Sequence, residues 1–455
     1  MKNLKLGFIL SALALACSEP SEQRPNFIIV FTDDLGYGDI GTFSATDIRT
    51  PHIDKMAAEG LKFTSFYSVS PICSPSRAGL LTGRYPVRMG IHEVFFPESW
   101  TGIDAGEITI AEALKTQGYT TGHVGKWHLG HHREFLPLQN GFDEYFGIPY
   151  SNDMAGVVYL RGNEVVEEKV DQRYTTRRYT EESLDFIERH KDQSFFLYLA
   201  HSMPHVPLYA SPEFEGKSAR GLYGDVIEEI DWSVGQIISK LDSLGLSENT
   251  LVVFSSDNGP WLVMEDHGGS SGKLREGKQF TFEGGMRVPT VAYWPGQIPS
   301  GGVYEGLATM MDWFPTMLNL ASVPLPQDRR IDGEDLTAVL TRKGKRESET
   351  FAYYMLDELR AYRSGNWKLK LPYPGNPHAR WRQGVAAHDT LLFDLSNDPG
   401  ERNNLAARRP DKVASIVAEM EAFVEGLGPL PPRKIVRQGE DNSHYDYLEK
   451  KRAAQ

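Results

Sequence analysis

The sequence predicts an α/β protein with a mainly parallel sheet flanked by helices, followed by a smaller C-terminal α+β unit. Two observations lead there. From Arg24 onward, short apolar runs alternate with helical stretches, the pattern of strands joined by crossover helices. Three of those runs, "NFIIVFTDD", "SFFLYLAHSMPH" and "TLVVFSSDNG", also end on groups that carry chemistry. Ligands in open α/β sheets sit beyond the carboxyl ends of the strands, so these endings point to one shared site. At 455 residues the chain exceeds a single ordinary core, which accounts for the second unit.

The N-terminus reads "MKNLKLGFILSALALACSEPSEQ". Lys2 and Lys5 precede an apolar run, Leu6–Ala16, that is too short to span a bilayer and reads as an export signal over residues 1–17. "ALA" before Cys17 fits ordinary signal cleavage. "LALAC" also resembles a bacterial lipobox, with Ala14 where Leu is commonest, and the polar "SEPSEQ" favours a lipid-tethered protein. The expected location is the periplasm or outer membrane of a bacterium, with any membrane association made through a lipid on Cys17.

A charge of -13 argues against nucleic acid as a partner, although a local pocket of Arg and Lys can still hold an anionic substrate. The chain has two cysteines. With Cys17 lipidated or removed, no disulfide is possible and Cys73 is the one remaining thiol in an oxidising compartment. By burial habit alone, Cys73 would be a small core hydrophobe.

A catalytic unit is expected over 24–340. Within it Ile227, Ile230, Val234, Ile237, Ile238, Leu241 and Leu244 recur at helical spacing over 222–244, closed by Gly245. The stretch around Ile110 and Leu114 ends in the same way at Gly118. Composition shifts over 322–346, through "VPLPQDRR" and "TRKGKRESE". Beyond it "FAYYML", "RAYRSGNWKLKL" and "TLLFDL" read as strands, with a helix near 410–425. These place a smaller unit at 346–430 and an irregular tail at 431–455.

Asp33 and Asp34, with Asp257 and Asn258, offer only oxygen ligands. That set suits a hard cation such as Ca2+ or Mg2+ rather than Zn2+. Acidic turns after strands are the alternative reading.

"CSPSR", followed by "AGLLTGR", resembles the Cys-x-Pro-x-Arg signature of the formylglycine-dependent type I sulfatases, of the alkaline-phosphatase-like superfamily. The resemblance runs nearly the whole chain, through "NFIIVFTDDLGYGDIG", "TPHIDKMAAEG", "GKWHLG", "GIPYS", "FEGGMRVP" and "LFDLSNDPGERNNLA". It implies the alkaline-phosphatase-like fold and a maturation enzyme that oxidises Cys73 to formylglycine (3-oxoalanine), which hydrates to a diol. Asp33, Asp34, Asp257, Asn258 and the diol at position 73 would bind one divalent cation, usually Ca2+.

Arg77 would hold the diol's charge and, with Lys126, Lys278 and the cation, offset the negative charge of the sulfate ester, while Ser151 would assist sulfate binding. A diol hydroxyl would attack sulfur, with His205 and Lys278 assisting the leaving oxygen, giving a covalent sulfo-enzyme. His128 would then take the second hydroxyl's proton to expel sulfate. His201 is a weaker candidate than His205. Asn152 stands where a histidine is frequent in the family, and His123 has no family role.

The expected substrate is a sulfated polysaccharide or oligosaccharide. "YPGNPHARWRQ" (373–383) and "RYTTRR" (173–178) set Arg beside aromatics that could hold sugars and further sulfates, or be solvated loop charge. A phosphonate or phosphodiester hydrolase of the same superfamily is one alternative. A lipoprotein that captures sulfated glycans without cleaving them is another.

Overall fold

Strand β1 (Asn26–Thr32) lies inside a ten-stranded sheet, because its unbroken run of buried side chains needs cover on both faces. The structure is a computed structural model that describes residues 24–154, 156–375 and 386–434. The segment expected to be a signal, with Cys17, most of "YPGNPHARWRQ" and the tail beyond 434 lie outside the described residues.

After β1 come α1 (Pro51–Glu59), β2 (Leu61–Phe63), β3 (Phe66–Tyr67), α2 (Cys73–Thr82), α3 (Ile110–Lys115), β4 (Thr120–Lys126), β5 (Glu144–Ile148), β6 (Tyr159–Arg161) and β7 (Glu164–Glu167). Next are α4 (Thr175–Arg189), β8 (Phe195–Ala200), α5 (Gly221–Ser243), β9 (Thr250–Ser256), α6 (Glu283–Met286), β10 (Thr290–Tyr293), β11 (Gly302–Tyr304), β12 (Ala308–Thr309), α7 (Trp313–Leu320) and α8 (Thr337–Leu340). The chain continues through β13 (Thr350–Met355), β14 (Glu358–Ser364), β15 (Trp367–Lys370), β16 (Leu391–Asp394) and α9 (Pro410–Leu427).

The large sheet has the order β11-β2-β10-β9-β1-β8-β4-β5-β6-β7. Its middle, β9-β1-β8-β4-β5, is wholly parallel, while β10, β6 and β7 run antiparallel to their neighbours. This is the mixed, mainly parallel sheet that the sequence predicts. Consecutive β1 residues feed opposite faces. Phe27, Ile29 and Phe31 pack with Leu81, Leu114 and Phe314 on one side, whereas Ile28 and Val30 meet Ile187, Ile227 and Ile230 on the other. Each such side chain removed from water contributes about 1.5–3 kcal/mol.

Helix α5 carries the expected apolar stripe and ends beside Gly245, whose φ is 69°. Helix α2 was not foreseen. All ten of its residues are buried, so no polar face marks it as helical. Pro75 is tolerated in its first turn, where amide donors have no intrahelical partner. Gly83, at φ 68°, closes it by donating to the Gly79 carbonyl.

The strands β13-β14-β15-β16 form a separate antiparallel sheet against which α9 packs. Phe351 and Tyr353 of β13 meet Tyr67 of β3 at ring-centroid distances of 5.2 and 5.8 Å. A buried Glu283–Lys368 ion pair joins the same two units at 2.9 Å.

Candidate active site

Five neighbouring parallel strands deliver their following residues to one edge of the sheet. Asp33 and Asp34 follow β1, Asp257 and Asn258 follow β9, and His205 lies in the segment after β8. Lys126 ends β4 with His128 just beyond, and Ser151 follows β5. Asp34 and His128 adopt left-handed backbone at φ 66° and 60°, a strain that tight turns at functional sites commonly hold.

Oxygens of Asp33, Asp34 and Asp257 lie within 4.8 Å of one another, all buried. The Asn258 amide donates to Asp34 Oδ1 at 2.7 Å, while Asn258 Oδ1 and Asp33 Oδ1 have no hydrogen-bond partner among the described residues. Crowded carboxylates with unsatisfied buried oxygens fit a hard divalent cation such as Ca2+.

Fixed positive charges surround them. Arg77 Nη2 lies 2.9 Å from Asp257 Oδ2 and 3.4 Å from Asp33 Oδ1. Lys126 pairs with Asp33, and Lys278 Nζ lies 2.7 Å from Asp34 Oδ2. Burial by itself would raise the Asp33 carboxyl, but Lys126 and its cationic neighbours hold it well below the usual range. Asp257, buried and beside Asp33, is pushed up to about 7.

Cys73, the first residue of α2, is 1% exposed and its sulfur sits 3.5 Å from Lys278 Nζ. Burial pushes its thiol well up, so a reactive thiolate is disfavoured there. His205 lies near the same sulfur and Asp33, with Nε2 3.6 Å from Asp34 Oδ2 and Nδ1 donating to the Val206 carbonyl at 2.6 Å. Ser151 Oγ is 3.4 Å from His205 Nδ1. His128 donates from Nε2 to the Phe95 carbonyl at 2.9 Å, which leaves Nδ1 as a lone-pair acceptor. Burial, reinforced by Lys126 and Arg77, keeps His128 neutral; burial and Lys278 likewise lower His205. Cys73, His128, Ser151, His205 and Lys278 line one cavity of about 960 Å3. The eleven residues singled out in the sequence thus converge on one place.

Residues 25–323 match the family model described as Sulfatase. The chain belongs to the sulfatase family. Residues 276–427 match a second family model, described as N-sulphoglucosamine sulphohydrolase, C-terminal. The sulfatase is 42% identical to the N-acetylgalactosamine-6-sulfatase of Mus musculus, over 88% of this chain and 85% of that protein. It is 38% identical to the arylsulfatase A of Homo sapiens, over 94% of each chain. The crystal structure of the PsFucS1 sulfatase from Pseudoalteromonas sp. superposes with a TM-score of 0.84 at 29% identity, covering 90% of this chain and 92% of that one. The protein is therefore a sulfuric ester hydrolase.

Other singled-out residues sit elsewhere in the sulfatase. His201 is buried against Ser233 at 3.2 Å, and burial takes it down to about 3. His123 is stacked between Tyr145 and Tyr198 in the core. Arg173, Arg177 and Arg178 pair with Asp171, Glu213 and Glu167 and do not line the cavity. Asn152 braces the His205 segment by donating to the Pro207 carbonyl at 3.1 Å.

Two participants were not foreseen. Trp261 lies under Lys278, with Nζ 4.6 Å from its ring centroid, and 5.5 Å from the His205 ring. Its place just after "DNGP" was the available signal. The Phe95 carbonyl, which sets the His128 tautomer, carries no sequence signal.

Proposed function

We propose that this sulfatase is an exported enzyme that hydrolyses sulfate esters of a sulfated polysaccharide or oligosaccharide, using formylglycine made from Cys73. The observation that carries the reading is a buried cysteine, 3.5 Å from Lys278, at the centre of the charged cluster yet too protonated to act as a thiolate. The partner this requires is a formylglycine-generating maturation enzyme. Export rests on Lys2, Lys5 and the run Leu6–Ala16. The glycan substrate rests on the likeness to an N-acetylgalactosamine-6-sulfatase.

Hydrated formylglycine supplies an attacking hydroxyl and a second one whose loss of a proton releases sulfate. A divalent cation held by Asp33, Asp34, Asp257 and Asn258 supplies positive charge toward the sulfate oxygens. Lys126, Lys278 and Arg77 add fixed charge in a water-poor site, where it opposes the repulsion between anion and nucleophile. Asp34 and the other acidic neighbours hold the Lys278 ammonium above its usual range, against the effect of burial, so it stays charged. Residue 73 opens α2, where the positive end of the helix dipole favours negative charge.

His128 Nδ1 is the acceptor for a proton leaving residue 73, because its Nε2 proton is committed to Phe95. His205 keeps its Nδ1 proton on Val206, which leaves Nε2 to serve the leaving oxygen. The negative charge of an arriving sulfate raises the proton affinity of Nε2, which takes up a proton from solvent and then gives it to the leaving oxygen, with Lys278 alongside. Ser151 donates a hydroxyl to sulfate.

The test is the mass of the peptide containing residue 73 in protein from its native host, paired with turnover of aryl sulfate, aryl phosphate and sulfated oligosaccharides. Aldehyde or hydrate at 73, with sulfate esters preferred, is expected. Unconverted thiol in exported protein would leave only glycan capture, and preference for phosphate esters would make the enzyme a phosphodiester or phosphonate hydrolase.

A further inference from the structure

The cavity extends from Cys73 to a wall made by the C-terminal sheet, and that wall contains a buried lysine with no carboxylate in ion-pair contact among the described residues. Lys370 ends β15 and is 3% exposed. Its ammonium donates to Thr281 Oγ1 at 2.7 Å and to the Thr281 carbonyl at 3.2 Å, and lies 4.1 Å from the Phe282 ring centroid. Lys368, two residues earlier and so on the same face of the strand, is flanked by Glu283 at 2.9 Å and Glu401 at 2.8 Å. Among the described residues no carboxylate lies within 4.0 Å of Lys370. Of these two buried lysines, one is neutralised twice and the other, which lines the cavity, has no such partner.

A lone buried ammonium is unfavourable, and a methionine would fill the same aliphatic space without that penalty. Burial and the nearby Lys368 charge work against protonation of Lys370 and outweigh the more distant Glu401 carboxylate, and an incoming anion would oppose them directly. The neighbouring cation on this wall, Arg360, is held by an ion pair with Glu358 and stacks on Tyr373 at 4.0 Å, so its charge is already shared with a carboxylate. Lys370 is the lining lysine on this wall without such a carboxylate.

We propose that Lys370, with the Thr281 hydroxyl, forms a second anion subsite for an oxyanion substituent other than the sulfate being cleaved, so that the enzyme favours glycans carrying two negative groups. The proposal rests on the glycan reading above. Lys278 at the reaction centre and Thr281 at the subsite are three residues apart in one segment, at most about 11 Å along an extended chain. The second anion therefore belongs to the same sugar or the next one. A uronic carboxylate and a second sulfate share the required chemistry.

The experiment compares wild type with Lys370→Met, Lys370→Arg and Thr281→Val. The substrates are 4-nitrophenyl sulfate, a monosulfated neutral disaccharide, its disulfated counterpart and a monosulfated disaccharide containing a uronate. Lys370→Met is expected to lower kcat/KM for a doubly anionic disaccharide at least about tenfold more than for 4-nitrophenyl sulfate, mainly through KM. Lys370→Arg should recover part of the loss. Loss on the uronate alone assigns the subsite to carboxylate, and loss on the disulfated sugar alone assigns it to sulfate.

Equal losses on all four substrates would reduce Lys370 to a structural role, and no loss on any would overturn the proposal. The same disaccharides are tested as inhibitors of 4-nitrophenyl sulfate hydrolysis, which reads the subsite in sugars that are not cleaved. A Ki for doubly anionic sugars that is unchanged in Lys370→Met also overturns it. Wild type that cleaves the aryl ester but neither cleaves nor binds any disaccharide defeats the glycan reading instead.

Discussion

Lys278 joins the nucleophile position to the carboxylate cluster, with its ammonium 2.7 Å from Asp34 Oδ2 and 3.5 Å from the Cys73 sulfur. One charge there both offsets Asp34 and faces the nucleophile position, so on the proposed mechanism it would act on the bond being broken. Replacing it with Met should lower kcat for 4-nitrophenyl sulfate by about 10²–10³, the range seen when one preorganised charge-stabilising donor is removed. Lys278→Arg should not restore the rate, because a planar fork cannot occupy the place of a compact ammonium between sulfur and carboxylate. Steady-state kinetics on both variants check this, and a loss under tenfold in Lys278→Met would remove Lys278 from the chemistry.

The carboxylates of Asp33, Asp34 and Asp257 crowd within 4.8 Å, and the nearby cations are shared among them. A divalent cation should therefore stabilise the fold as well as support turnover. Dialysis against a chelator is expected to lower the thermal midpoint and abolish activity, with added Ca2+ restoring both. At a hundredfold excess over Kd the stabilisation would be about 2.7 kcal/mol. A midpoint and rate indifferent to chelator would refute the assignment of these residues as ligands.

Gly125 precedes Lys126 on β4 with φ 117°, and a Cβ built there would lie 1.9 Å from the Ala200 carbonyl oxygen. Neither neighbour can yield, because β4 is held between β8 and β5. Gly125→Ala should cost about 2–5 kcal/mol, combining backbone strain with overpacking. It should also reduce turnover by moving Lys126. Gly106 is the matched control, since a Cβ placed there would meet none of the described residues within 4 Å. It should accept Ala with little change in urea midpoint.

Legibility in the sequence followed how local each signal was. β1, β8 and β9 stood out because a strand buried on both faces needs an unbroken apolar run, and α5 because one stripe meets the sheet. Strand endings carried the Asp33–Asp34 and Asp257–Asn258 pairs to the expected edge. Helix α2 escaped notice because full burial erases amphipathic periodicity. His201, offered as a lesser candidate, occupies the core, since its position after β8 turns it toward Ser233 of α5. Trp261 had a signal in its place just after "DNGP", but Lys370 could not be found by spacing, because what matters there is the approach of Thr281 from a segment distant in the chain.

The last prediction concerns the junction between the two sheets. Glu283 opens α6 and accepts from Tyr67 Oη at 2.5 Å, Tyr353 Oη at 2.9 Å and Lys368 Nζ at 2.9 Å. Burial by itself would raise this carboxyl, but Lys368, Arg287 and Arg363 outweigh burial and hold it at about 2, against an ordinary 4.5. A carboxyl depressed in the folded state contributes stability that is complete above the unfolded value and lost as pH falls through the folded one. The window is therefore pH 4.5 down to about 2. Glu401, whose carboxyl is raised because burial exceeds the help from Lys368, works in the opposite sense, so the comparison must isolate Glu283. Glu283→Gln should be less stable at pH 7 by about 3 kcal/mol, the consequence of removing one partner from a buried pair. It should also lose stability less steeply than wild type as the pH is lowered through that window. Urea midpoints from pH 7 to 2.5 for both proteins decide the matter. Parallel pH profiles would mean that the Glu283 charge is not what fastens the C-terminal sheet to the catalytic unit.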